Sequence, residues 1–559
     1  MVLFSVLFLH VWFLNPLWFN QLPRELYHPP GNLNWTSAHT PINQGWLRIA
    51  CFFYFFFCVT AIFGFFSRTS AFFVTLLGIL VIGLPQMYAK LNHEHHLLWF
   101  SAILACSPSA DVFSLDAVAA AFRRADLGSM DPPGYSKRYG QPVAFVLLLI
   151  GVIYFFPGFW KVWTSGSEWV LGGSLKNHLY WKWSEYPDWV PFFRIDSNLL
   201  LIQALALATI IFELSFVFLL FFPRLRTWQG LSGLFFHGGT TFFMRIPFWQ
   251  LQMCYIIFFN WHEIFKTLGR LFYRQTMYVL YDGNCKLCRR TIAAIRVFDI
   301  FGRIDYVNAL DSASLKAHGL GEMDENALLK DMHVVLGKKV WQGYESYRAL
   351  AWRVPLFWPV LPFLYLFPMA FLGNWIYRRI ADFRTCSVPT PASPAPKKGS
   401  PKLGNNPVLL VVGFFLIIVN SWFGFKDLHS FPFSIYPTFE NIVGDTRRSV
   451  TIEAKDVSGA PIPINTKLVQ KKLTSSRWFF LLENALNIEN PQKQHAYLKA
   501  LWKFVAVTDP NLKRTYSVSF YKVLLTGNPD RRSQNPLTKE LLFEWNEPHA
   551  RIDTSGLLS

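Results

Sequence analysis

Residues 277–290 read MYVLYDGNCKLCRR, a strand-length apolar run that meets a tight turn and then a helix. Met277–Tyr281 has the length and residue types of a buried strand, Asp282–Gly283 supplies the turn, and helical character resumes through Thr291–Phe298. This corner places Cys285 at a helix N-terminus. There, N–H groups without intrahelical partners and the helix macrodipole favour a thiolate. Lys286, Arg289 and Arg290 add positive charge, and Cys288 lies one turn on, within reach to resolve a mixed disulfide. Cys285 and Cys288, with Asp282 beside them, are the candidate catalytic residues. A zinc half-site and two unrelated thiols are the competing readings. Zinc would need two more ligands, and no second CxxC or HxxxH accompanies His333, so no metal site is expected.

Working outward, residues 271–386 have the composition of a small α/β layer. Asp305–Asn308 and Met332–Leu336 are two further strand candidates. Val354–Ile380, rich in aromatics and proline, reads as helices packed on a membrane surface. Upstream lies a succession of apolar runs near 2–20, 46–66, 71–88, 95–106, 141–160, 198–222, 228–244 and 248–261. Most approach the ~20 residues that cross a hydrocarbon core. The first run lacks a basic leading segment and a small-residue cleavage site, so it reads as a span, not a signal peptide. Residues 1–270 are therefore expected to form a bundle of about eight spans.

Downstream, 387–407 is a Pro/Ser/Lys linker, 408–425 a further transmembrane helix, and 426–559 a β-rich or α+β extramembrane domain. Ser449–Ala454 and Tyr516–Val523 are its strand candidates, and the region near 478–505 is helical. The expected fold class is thus an α-helical polytopic membrane bundle with an inserted α/β domain, one more transmembrane helix and a C-terminal domain.

Composition agrees. The chain has 559 residues, 52% hydrophobic and 18% aromatic, with mean hydropathy +0.24, too apolar for a soluble protein of this length. The net charge of +18 fits cytoplasmic loops and anionic headgroups, not nucleic acid. Seven cysteines give no disulfide framework, and only the 285/288 spacing carries meaning. Charge bias puts loop 107–140 and the Arg224/Arg226 turn inside. The dithiol domain is then expected in the cytosol and the tail on the opposite side.

Three polar positions stand out in apolar surroundings, where they are costly: the Asn92-His93-Glu94-His95-His96 stretch, Lys161 and His237. Each has a plainer reading. Lys161 snorkels at a helix end, His237 bonds a neighbouring carbonyl, and the histidine stretch caps an interface.

Two resemblances follow. Asp282-x-x-Cys285-x-x-Cys288, with MHVVLGKKVWQGYESYRAL and the ending Tyr377-Arg-Arg-Ile-Ala-Asp-Phe-Arg, resembles the DCC family of thiol-disulfide oxidoreductases, which implies a thioredoxin-like fold and disulfide exchange with protein thiols. No proline precedes the MHVVL strand, where thioredoxins keep one beside the dithiol. The order NHEHHLL, SADVFSLDA, YFFPGFWKVWTSGSEWVLGG, FELSFVFLLFFPRLR, LFFHGG resembles the HTTM family, membrane relatives of vitamin K-dependent gamma-carboxylase. That resemblance implies a quinone or hydroquinone as cofactor, with Lys161 on the catalytic base and His93 and His237 on active-site histidines. Together the two imply a membrane-bound protein-disulfide reductase type of enzyme, in which the dithiol delivers electrons to a quinone held in the bundle. The alternative is a bundle that only anchors the dithiol, or a transport or interaction protein.

Overall fold

The computed structural model describes residues 1–88, 90–134, 136–186, 188–321, 323, 325–382, 406–434 and 439–546. Cys386 and nearly all of the linker lie outside the described residues. Among those described, six helices are long and apolar enough to cross a membrane: Val2–Phe19, Gln44–Phe63, Ser67–Gln86, Lys137–Ser165, Leu199–Leu219 and Pro407–Phe425. The protein is an integral, multi-pass membrane protein.

Three of the eight apolar runs expected before the dithiol domain fall short of that standard. Run 95–106 yields only His96–Ala105, stopped ahead of Pro108. Run 248–261 breaks into Trp249–Cys254 and a 3-10 turn, Tyr255–Phe258. Arg226–Met244 is long enough, but Gln229, His237 and its paired threonines dilute its apolar character. These segments nevertheless continue an alternation between two ends of the bundle. At one end Asp116 takes the N–H groups of Phe66 and Ser67, and Asn406 donates to the Cys106 carbonyl. At the other, Trp18 packs on Phe504, His95 bonds the Ser434 carbonyl, and Trp169 donates to Phe439. Close helix approach is made by small residues. A Cβ on Gly151 would meet Leu220 and Val217, and one on Gly158 would meet Glu213.

The α/β layer has four strands, β1 (Met277–Tyr281), β2 (Ile304–Asn308), β3 (His333–Leu336) and β4 (Lys339–Gln342), in the order β2-β1-β3-β4. β1 and β2 run parallel, while β3 and β4 are antiparallel to their neighbours. This is the thioredoxin-like arrangement expected, with the dithiol helix Lys286–Phe298 crossing from β1 to β2. Val279 and Val334 are fully buried beneath that helix with Ile292. The domain rests on the bundle through Leu115–Asp126, whose Ala117, Ala121 and Ala125 meet Ala293 and Val297.

The tail forms a second sheet, β5 (Thr446–Lys455), β6 (Pro461–Ile462), β7 (Ser517–Thr526) and β8 (Thr538–Asn546), in the order β6-β5-β7-β8. Helices Ser475–Asn484 and Pro491–Thr508 complete an α+β domain. It docks at the end of the bundle opposite the dithiol domain. Arg447, on β5, bonds Glu483 of its own domain and Glu185 of the bundle loop at 3.3 Å, with its guanidinium over Trp181 and Phe479. Gly527 makes the closest approach, since a Cβ there would stand 2.0 Å from the Tyr180 carbonyl oxygen. Gly527→Ala is expected to weaken this docking by about 1–3 kcal/mol, the usual cost of overpacking. Faster protease nicking of the connection at 439–445, with unchanged far-ultraviolet circular dichroism, would register it; an unchanged nicking rate would contradict the contact.

Candidate active site and membrane cavity

Cys285 is the N-cap of the dithiol helix, with extended backbone (φ −76°, ψ 115°), and its Sγ accepts the Cys288 N–H at 3.5 Å. The turn before it is built by side chains. Asp282 accepts the Asn284 N–H at 2.8 Å, and its carbonyl takes the Cys285 N–H at 3.2 Å. The Gly283 N–H donates to Asn308 at the end of β2 at 3.0 Å. A side chain at position 283 would collide with that Asn308 amide, which explains the glycine. Cys285 is 3% exposed and Cys288 half-buried, and both are free thiols.

The Cys285 thiol is held down at about 6. The largest cause is the hydrogen bond from the Cys288 side chain. Burial opposes it, the Cys288 and Leu287 N–H groups assist, and the Asp282 charge opposes. Asp282 therefore shapes the turn and works slightly against the thiolate. The neighbouring cations also differ from the sequence expectation. Arg290 forks onto Asp126 at 2.9 and 2.5 Å, Lys286 reaches the same carboxylate at 3.6 Å, and Arg289 bonds the Ala125 and Gly283 carbonyls. They dock the domain on the bundle instead of facing the sulfur. His333 bonds the Asp331 carbonyl, and among the described residues no group of three or more His, Cys, Asp or Glu could hold a metal.

Beside Cys288 lies a cavity of about 380 Å³, lined by Thr291, Met332, Tyr344, Tyr347 and Tyr377 among others. Its far wall is the helix Phe367–Asp382. Tyr377 on that helix accepts the Met332 N–H at 3.2 Å and donates to Asp331 at 3.0 Å, and Arg378 pairs with Asp331 at 3.1 Å.

The structure also brings His93, Lys161 and His237 together, around a second cavity of about 590 Å³. Lys161 does not snorkel. It is 2% exposed, with Nζ at 3.0 and 2.9 Å from the two Glu213 oxygens and 5.3 Å above the Trp169 ring. His237 meets the Tyr154 hydroxyl at 2.5 Å, not a neighbouring carbonyl. Its Nδ1, and Nε2 of His96, are buried with no hydrogen-bond partner among the described residues. His95 is turned onto the Ser434 carbonyl. Two contributors escaped the sequence reading. Glu213 sits inside the apolar FELSF run, where a lone intramembrane carboxylate is the available signal. Gln470 and Thr474–Ser476 reach the cavity from the tail domain, and no motif announces them.

The two sites lie far apart. Tyr139, at the dithiol end through Asp111, and Lys161 share one helix, which separates them by about 33 Å at 1.5 Å per residue. Electron delivery from Cys285 to a quinone beside Lys161, as the sequence suggested, would have to bridge that separation.

A family model for DCC1-like thiol-disulfide oxidoreductases matches residues 279–387, and an HTTM domain model matches residues 27–262. The chain is a fusion of an HTTM domain with a DCC1-like domain. No curated protein and no solved structure matches it. The DCC1-like match begins within β1 and takes in the dithiol, its helix and the Tyr377 cover. The HTTM match holds all three residues around the larger cavity, whereas the tail that closes that cavity lies outside both matches.

Proposed function

We propose that this HTTM–DCC1-like fusion is a membrane-bound thiol-disulfide oxidoreductase, with Cys285 as attacking thiolate and Cys288 as resolving thiol. The observation that carries this reading is the Cys285 sulfur at the N-cap of its helix, accepting the Cys288 N–H with its thiol held at about 6. A thiolate present at neutral pH attacks a disulfide, and a second thiol one turn away releases the product by closing an internal disulfide. Reduced full-length protein in lipid nanodiscs should consume one equivalent of a small aromatic disulfide and lose both thiols. Mass spectrometry should then find Cys285 linked to Cys288. Persistence of both thiols would overturn the assignment.

A second reading concerns the HTTM cavity. We infer that it is suited to a quinone or hydroquinone. The orphaned imidazole nitrogens of His96 and His237 are hydrogen-bond groups awaiting a ligand, and Phe236, Phe248 and Trp99 supply apolar walls. His93, His237 and Lys161 would hold such a ring by its oxygens. A bound quinone would supply a two-electron, two-proton couple. Lys161 and Glu213 share a proton-bearing contact at the wall, where Glu213 is the acceptor within hydrogen-bond distance of Nζ. His237→Phe should abolish saturable quenching of protein fluorescence by a tailed quinone, and unchanged quenching would remove this reading.

A further inference from the structure

The cavity beside Cys288 is walled by a helix whose opposite side is apolar and exposed. Helix Phe367–Asp382 turns its Gly373, Ile376, Tyr377 and Ile380 toward the dithiol while presenting Phe367, Phe371 and Trp375 outward. Phe367 is 87% and Phe371 74% exposed, on a helix that no other part of the described chain covers there. With the preceding Pro355–Tyr365 it passes the length and apolarity standard of a membrane span, but the pair is bent by 107°. A soluble protein rarely leaves so large an apolar face uncovered.

The same face continues elsewhere. Trp358 packs on Phe301, Phe301 on Phe265, and Phe265 on Trp261 of the amphipathic helix Trp261–Phe272, which leaves the bundle. That helix exposes Leu271 and Phe272 and carries Lys266 and Arg270, the composition of a helix lying in a membrane interface. The bent pair and this helix are thus joined through the buried Phe301 ring, each with exposed apolar residues beside the transmembrane bundle, and the bilayer is the occupant that such a surface fits.

Protein disulfides are poorly served by this geometry. The Met332 N–H, at the entrance to β3 and next to the dithiol, is already taken by Tyr377. Of the two thiols, Cys288 lines the cavity walled by helix Phe367–Asp382, while Cys285 is 3% exposed, so an incoming protein chain finds little open surface at the dithiol. A cavity of about 380 Å³ with aromatic and aliphatic walls matches a small flat apolar molecule instead.

We propose that the redox partner of the Cys285/Cys288 dithiol is a lipid-soluble quinone, which enters from the bilayer between helix Phe367–Asp382 and the dithiol helix. This rests on the assignment of the dithiol as a redox centre and names its substrate class. In the net step the two sulfurs give up two electrons and form the Cys285–Cys288 bond. The quinone takes both electrons with two protons to become the quinol. One proton comes from the Cys288 thiol and the other from solvent, because Cys285 starts as thiolate. The reverse step reduces the disulfide with quinol.

The test uses reduced full-length protein in nanodiscs, mixed without oxygen with a decyl-tailed benzoquinone or with a small aromatic disulfide. Quinol absorbance and the alkylation mass of Cys285 and Cys288 are followed together. One quinol per chain and loss of both thiols are expected. Ile376→Trp, which fills the cavity, should slow the quinone reaction at least tenfold. Phe367→Asp/Phe371→Asp, which lifts the wall from the bilayer, should do the same while leaving the disulfide reaction within about twofold. Reaction with the disulfide but not the quinone would overturn the inference and leave the oxidoreductase reading intact. Reaction with neither would overturn both. A quinone rate untouched by either substitution would overturn the membrane route, and Ile376→Trp alone suffices should the double variant fail to fold.

Discussion

Cys285→Ser is expected to reduce the rate of disulfide exchange by about a thousandfold or more, since the hydroxyl that replaces the sulfur is neither ionised at neutral pH nor an adequate nucleophile. Cys288→Ala should behave differently. It keeps the attacking sulfur but removes the resolving thiol, so a single attack leaves a stable mixed disulfide on Cys285 and turnover stops. It also removes the largest stabiliser of the thiolate, the Cys288 side-chain hydrogen bond, so the Cys285 thiol should titrate higher than in the parent protein. Intact-mass spectra after one addition of aromatic disulfide separate the cases: no adduct for Cys285→Ser, and a persistent adduct for Cys288→Ala. Equal turnover by either variant and the parent would contradict these roles.

The second large effect lies in the bundle. Glu213→Leu should destabilise the protein by roughly 3–5 kcal/mol, because it strands a lysine whose side chain is 3% exposed. The double variant Lys161→Met/Glu213→Leu should recover most of that loss, because a matched apolar pair removes the desolvated charges altogether. Thermal unfolding of the HTTM bundle in a fixed detergent reads both. If Glu213→Leu melts with the parent, the pair carries no such weight.

The dithiol corner was legible because its signals are local. A strand run, an Asp-Gly turn and a CxxC at a helix start are consecutive residues, and each backbone preference agrees with the next. The same holds for Ser449–Ala454 and Tyr516–Val523, whose alternation reappears in β5 and β7. What stayed hidden depends on partners distant in sequence. Lys286, Arg289 and Arg290 look like thiolate stabilisers by proximity, yet Asp126 and the Ala125 carbonyl, more than 150 residues away, claim them. The Tyr377 cover on Met332, the Glu213 partner of Lys161 and the Arg447 bridge to Glu185 are likewise long-range pairs without a local pattern. Span counting from composition fared least well where polar residues interrupt the apolar runs. His237 and Gln229 give Arg226–Met244 a length without the matching apolarity, because His237 lines a cavity and Gln229 donates to the Phe216 carbonyl of a neighbouring helix.

The most direct measurement is the pH dependence of Cys285 alkylation in the reduced full-length protein, read by mass spectrometry against an internal peptide thiol. A thiol lowered to about 6 ionises as pH rises through that value, so the rate should climb about tenfold per pH unit below it and level off above. A plateau reached near pH 7 is the predicted result. A rate still rising through pH 8 to 9, in step with the free peptide, would contradict the anionic sulfur at the helix start on which the assignment stands.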